Sequence, residues 1–164
     1  MSILNAPLIS ETRRNHGLEH ATLHLLAERL PGRSMGGHSN PTGFFIFGDV
    51  PTDVLREAVT RALLRMENGE AQLAVHPGCG TNYVVYGAVA GLLAWLGIGG
   101  ARRFRDRLER LPLAMLLAAL GFMIAQPLAL LVQERVTTDG HPDGLAIVDI
   151  YPVWRGIHRV VTRA

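Results

Sequence analysis

Two uncharged stretches constrain this chain more than any other feature: nineteen residues from Tyr83 to Ala101, and twenty-three from Leu111 to Gln133. A helix needs about 20 mainly apolar residues to cross about 30 Å of hydrocarbon, so each run is long enough to span. The first is rich in small residues (Gly87, Gly91, Gly97, Gly99 and Gly100), which let helices approach closely in lipid. The second carries Pro112 and Pro127, which membrane helices tolerate better than soluble ones. Tyr83, Tyr86 and Trp95 lie toward the ends of the first run, where an interfacial aromatic belt would place them. A soluble protein could bury the same hairpin, but only inside a thick shell, and roughly 120 other residues supply little. Composition agrees: 48% of residues are hydrophobic and 18% charged, against about 25% charged in an ordinary soluble domain.

The turn between the runs, Arg102 to Arg110, holds five arginines against Asp106 and Glu109. The positive-inside rule makes this turn cytoplasmic and both flanking regions external. Against that, Met1 to Leu30 becomes charged too soon to hold the apolar core of a signal peptide, so the two orientation signals oppose each other. The 16 basic residues, all Arg, nearly balance 14 acidic ones, which excludes the basic stripe of a nucleic-acid binder. A single cysteine, Cys79, excludes an internal disulfide framework.

The expected fold is α+β and mainly helical, in three parts. Residues 1–82 form a small N-terminal α/β domain that binds metal, 83–133 a two-helix transmembrane hairpin (83–101 and 111–133), and 134–164 a short C-terminal tail. Ser10 is the expected cap of a helix running to about Leu30, where Pro31-Gly32 stops it. Gly32 to Gly43 reads as a loop, Phe44 to Phe47 as a strand, and Thr52 to about Met66 as a second helix. Gln72 to Val75 and Leu145 to Ile150 are expected to be further short strands.

The chemistry concentrates in His16-Gly17-Leu18-Glu19-His20. On a helix His16 and His20 stand one turn apart on one stripe, close enough to share an ion, with Glu19 flanking them. The order is H-x-x-E-H, the inverse of the common zinc-protease pattern; in such a site the imidazoles hold Zn²⁺ and the carboxylate takes a proton from water. The competing reading is a pair of hydrogen-bonded core histidines. A second constellation, His76-Pro77-Gly78-Cys79-Gly80-Thr81-Asn82, precedes the first apolar run and can form a tight metal knuckle. The candidate metal ligands are therefore His16, His20, His76 and Cys79, and the candidate catalytic base is Glu19. His24 lies about 12 Å along the axis from His16 and is expected outside the ion's reach. Glu67 and Glu70 are further oxygen donors, while His38 and His158 are expected to face solvent.

The pairing of HGLEH (His16 to His20) with HPGCGTN (His76 to Asn82), directly before a transmembrane hairpin, resembles an uncharacterised family of bacterial integral-membrane proteins carrying HGxEH and HPxCGT motifs. Val136-Thr137-Thr138, after the second span, is also similar. More distantly, His16, Glu19 and His20 alone resemble the inverted-zincin metallopeptidases, which usually take a downstream Glu as third ligand and have larger catalytic domains.

Two functions follow. One is a membrane-bound zinc hydrolase, peptidase-like, with a membrane-protein or peptide substrate and Glu19 as base. The other is a non-catalytic membrane scaffold or interaction module in which all four ligands close a structural site. Both place the chain in the cell membrane with two spans and the bilayer as its partner. Both exclude nucleic acid and are compatible with a homo-oligomer.

Overall fold

The computed structural model describes residues 3–163 and shows an α+β fold that is mainly helical. Its chain divides into two units: residues 1–76 with 134–164, and residues 77–133.

In the first unit, α1 (Pro7–Arg29) and α2 (Thr52–Glu67) lie with a four-stranded antiparallel sheet of β1 (Gly36–Asn40), β2 (Gly43–Phe47), β3 (Ala146–Trp154) and β4 (Ile157–Arg163). The spatial order is β1-β2-β4-β3. Phe44, Ile46, Ile150 and Val160 are buried sheet residues in one core with Leu18, Leu26, Leu55, Val59 and Met66 of the helices. Burying a side chain of this size contributes about 1.5–3 kcal/mol. Residues 134–164, read from sequence as a tail, thus supply half the strands, and β4 is an interior one.

Local chemistry explains where the elements depart from expectation. α1 begins before Ser10, because Pro7 stands in the first turn, where its missing N–H costs nothing and its fixed φ favours a helix. Gly32 to Gly43 is not all loop: the Asn40 side chain accepts hydrogen bonds from the Thr42 N–H and hydroxyl, both 3.0 Å, in a turn that folds β1 back on β2. Gln72 to Val75 is a 3-10 turn (Ala71–Ala74) instead of a strand, as Ala, Gln and Leu favour. The strand expected over Leu145 to Ile150 forms from Ala146 and extends to Trp154.

His158, expected to face solvent, is buried: it lies on β4 opposite Ile46, with the Thr52 hydroxyl 2.9 Å from Nε2. Burial pushes its pKa below the ordinary histidine value. The unfolded chain therefore binds more protons than the native one as pH falls through about 6.5, so native stability declines over that range. His158→Gln should flatten the decline in Tm between about pH 7 and pH 5, with a residual slope from His76; an unchanged slope would show that His158 binds protons alike in the folded and unfolded states.

The second unit pairs α3 (Gly80–Ile98) with α5 (Leu111–Val132), joined through the short α4 (Phe104–Glu109). Both long helices are long and apolar enough to cross a membrane. They approach at glycines: a Cβ on Gly97 would sit 2.9 Å from the Ala114 Cα, and one on Gly121 would sit 2.9 Å from the Ala90 Cα. Close backbone contact of this kind is what small residues provide in lipid, where apolar burial gives helices no preference for each other. Near one end, buried Asn82 and Gln133 hydrogen-bond to one another, and Asn82 Nδ2 also donates to the Pro77 carbonyl at 2.8 Å. After α5 the chain continues through a π turn, Gln133–Thr137.

Candidate metal centre

The middle of α1 is buried almost all round, from Asn15 and Gly17 through Leu23. Gly17 permits this, because a Cβ there would strike the main-chain carbonyl of Asp139. The returning segment 135–139 is held by Arg13, which donates from Nε to the Val136 carbonyl at 2.8 Å. From Nη2 it donates to those of Arg135 and Thr138, at 3.3 and 2.9 Å. The Asp139 N–H returns a bond to the Arg13 carbonyl at 3.0 Å.

This scaffold fixes both imidazoles of the H-x-x-E-H sequence. His16 Nδ1 lies 2.9 Å from the Thr137 carbonyl, and His20 Nδ1 lies 2.7 Å from the Ala74 carbonyl. A carbonyl only accepts, so each Nδ1 carries a proton, which leaves Nε2 as the nitrogen whose lone pair a metal ion would use. Metal-binding histidines are held by outer hydrogen bonds of this type. The ring centroids stand 4.3 Å apart, and a ligand nitrogen of each lies within 4.8 Å of the other.

His76 stands further out, its centroid 5.7 Å from His20 and 4.6 Å from His24. His24 Nε2 in turn bonds the Val75 carbonyl at 3.0 Å. Four histidines thus form a row, with His24 beyond His76 and away from His16, as the helical rise predicts. Burial and the neighbouring His24 and His20 push the His76 pKa down to about 4, so at neutral pH it is an uncharged donor.

Glu19, expected to flank the stripe, is buried beside it at 3% exposure. The Ser39 hydroxyl donates to Oε2 at 2.5 Å, and Gly37 leaves the space that Oε1 occupies, since a Cβ there would overlap the carboxylate. Burial raises the Glu19 pKa; the Ser39 bond and the fields of His16 and His38 oppose that rise. Ser39 and Gly37 escape the sequence reading because they lie on β1, which its composition disguises as loop. The Thr137 and Ala74 carbonyls escape it too, since any residue carries one.

Glu70 is engaged by Arg65 at 2.5 Å and Glu67 is exposed, so neither belongs to this cluster. His38 is exposed, as expected. Cys79 lies in the second unit, at the position that caps α3. His16 and His20 are donor types that can hold a metal ion, and a cysteine thiolate is a third such type. Beside the histidine row, the first unit has a cavity of about 370 Å³, whose lining includes Ala74, Val75, Glu134, Thr138 and His141.

A family model described as "Domain of unknown function (DUF6391)" matches residues 11–150 of the chain. An uncharacterized protein of Picosynechococcus sp. (strain ATCC 27264 / PCC 7002 / PR-6) is 35% identical over 150 residues, covering 84% of this chain and 70% of that protein. No solved structure matches.

Proposed function

The chain belongs to the DUF6391 family, whose match takes in the histidine helix, the apolar hairpin and most of the returning segment as one stretch, and on that premise we propose a membrane-bound, zinc-dependent hydrolase of peptide bonds. The observation that carries this reading is the orientation of His16 and His20, both protonated at Nδ1 by carbonyl contact, with a buried carboxylate one residue away. Cys79 supplies the third ligand in this proposal. It follows His76 by three residues through Pro77-Gly78, a tether of about 10 Å at most. His76, whose ring lies nearer His24 than His20, is the candidate fourth ligand. With His76 held back, one coordination position stays open for water, as catalysis requires. With His76 drawn in, the site closes and serves as a structural clamp, which is the second reading.

A bound zinc ion supplies Lewis-acid polarisation of water and of the scissile carbonyl. Glu19 accepts the proton from that water and returns it to the leaving amine. A carboxylate whose burial lifts its pKa above the ordinary value is suited to both transfers. Ser39 fixes one carboxylate oxygen and so directs the other. The cavity lined by Ala74 and Val75, whose carbonyls meet His20 and His24, is where this reading seats an extended substrate.

The test is elemental analysis of detergent-purified protein, wild type beside a His16→Ala/His20→Ala variant. Near-stoichiometric zinc in the first and none in the second supports the site. Zinc-free wild type that also resists reconstitution would overturn it. Gly37→Ala separates chemistry from binding: the new Cβ displaces the Glu19 carboxylate, so zinc content should hold while peptide hydrolysis falls on the order of 100-fold.

A further inference from the structure

Resting on the membrane reading above, we infer that the turn between the two long helices is a binding site for the headgroup of an anionic phospholipid. The turn's charges are not internally spent. Of its five arginines, Arg105 pairs with Glu109 at 3.1 Å and Arg110 donates to the Gly99 carbonyl. Asp106 is turned to the main chain, accepting from the Arg103 N–H at 3.3 Å. Arg102, Arg103 and Arg107 are exposed and make no ion pair among the described residues.

The arrangement of α4 adds direction to this charge. At about 100° per residue, Phe104 and Leu108 fall about 40° apart, Arg107 and Arg105 flank them on either side, and Asp106 and Glu109 take the opposite face. Phe104 is 75% exposed and Leu108 48%. An apolar stripe edged by arginines with acids turned away is the pattern of a helix lying at an anionic lipid surface. Next to it is a cavity of about 390 Å³ lined by Trp95, Ile98, Gly99, Gly100, Ala101 and Arg107. Trp95 is 69% exposed at the end of α3, where an indole sits at headgroup level. The cavity therefore offers a guanidinium to a phosphate oxygen and an indole to the glycerol and upper acyl chain. That ligand is a phospholipid with net negative charge.

The experiment uses the full chain with Trp154→Phe, leaving Trp95 as the sole tryptophan. It is reconstituted in phosphatidylcholine vesicles containing either brominated phosphatidylcholine or brominated phosphatidylglycerol at equal fraction. Quenching of Trp95 should show phosphatidylglycerol enriched on the order of tenfold, and Arg107→Gln should cut that enrichment about fivefold. Equal quenching by the two lipids overturns the proposal, and so does undiminished enrichment in an Arg103→Gln/Arg107→Gln variant. Loss of enrichment to soluble glycerol phosphate would assign the site to a free phosphate ester and overturn the lipid assignment. Failure of the protein to stay with pure phosphatidylcholine vesicles through an alkaline wash overturns the membrane reading itself, so the two failures are distinct.

Discussion

Glu19→Gln should lower peptide hydrolysis by about 10²–10⁴-fold, the usual worth of a positioned general base, without changing zinc content. The same substitution should make the metal-free protein more stable, on the order of 1 kcal/mol. Glu19 is almost fully buried, and no arginine pairs with it among the described residues. Its oxygens instead meet one hydroxyl and the space left by Gly37. A charge so placed costs free energy that a neutral amide of the same shape does not. Gln retains an oxygen for the Ser39 hydroxyl, so the packing survives. The measurements are cleavage of a fluorescence-quenched peptide library, zinc per chain, and Tm after chelation. Retained cleavage with intact zinc would remove Glu19 from the mechanism, and loss of zinc together with activity would make it a ligand.

Arg13→Met should weaken zinc binding by about 10- to 100-fold, although Arg13 donates to no atom of the histidine cluster. It should also destabilise the fold by about 2–3 kcal/mol. Its guanidinium collects the carbonyls of Arg135, Val136 and Thr138, and lies 3.7 Å from the Asp139 carboxylate. Those contacts stop the returning chain at the place where the Thr137 carbonyl meets His16 Nδ1. Methionine fills similar volume but leaves three carbonyls without their donor, and the Thr137 carbonyl is free to drift. His16 then loses the bond that sets its tautomer. Zinc titration against a competing chelator, with urea unfolding on the same samples, checks both effects. Reduced stability with unchanged affinity would show that His16 is oriented by something other than this carbonyl.

The apolar hairpin is legible in the sequence because the criterion for it is length and composition, which need no partner. His16, Glu19 and His20 are legible because a helix turns a spacing of four into adjacency. What orients them is not. The donors to Thr137 and Ala74 reach main-chain oxygens, and nothing in a side-chain pattern marks which carbonyl will be used. β1, with the sequence Gly-Gly-His-Ser-Asn, has almost no strand propensity; it is strand because the Asn40 turn brings it against β2. β4 lies interior with His158, Arg159, Thr162 and Arg163 among its seven residues, so it reads as polar tail. Several of its polar groups find local partners: Arg159 Nη2 bonds the Asn40 Oδ1 and Thr42 hydroxyl at 3.0 and 2.8 Å, and the Thr162 hydroxyl donates to Asn15 at 2.6 Å.

The sheet unit is built from the two ends of the chain with the apolar hairpin between them, and this sets a timetable. Thr162 is synthesised 147 residues after the Asn15 it bonds, and Thr137 is 121 residues behind His16. On a ribosome these intervals last on the order of 10 s, long enough for α1, β1 and β2 to emerge and wait. Throughout that wait β2 exposes an edge carrying Phe44 and Ile46, and a newborn chain must be kept from pairing there with its neighbours. His16 cannot acquire its orienting carbonyl until both long helices have been made. If the proposed centre holds zinc, its capture is thereby scheduled late in the life of the nascent chain, after the hairpin has been made.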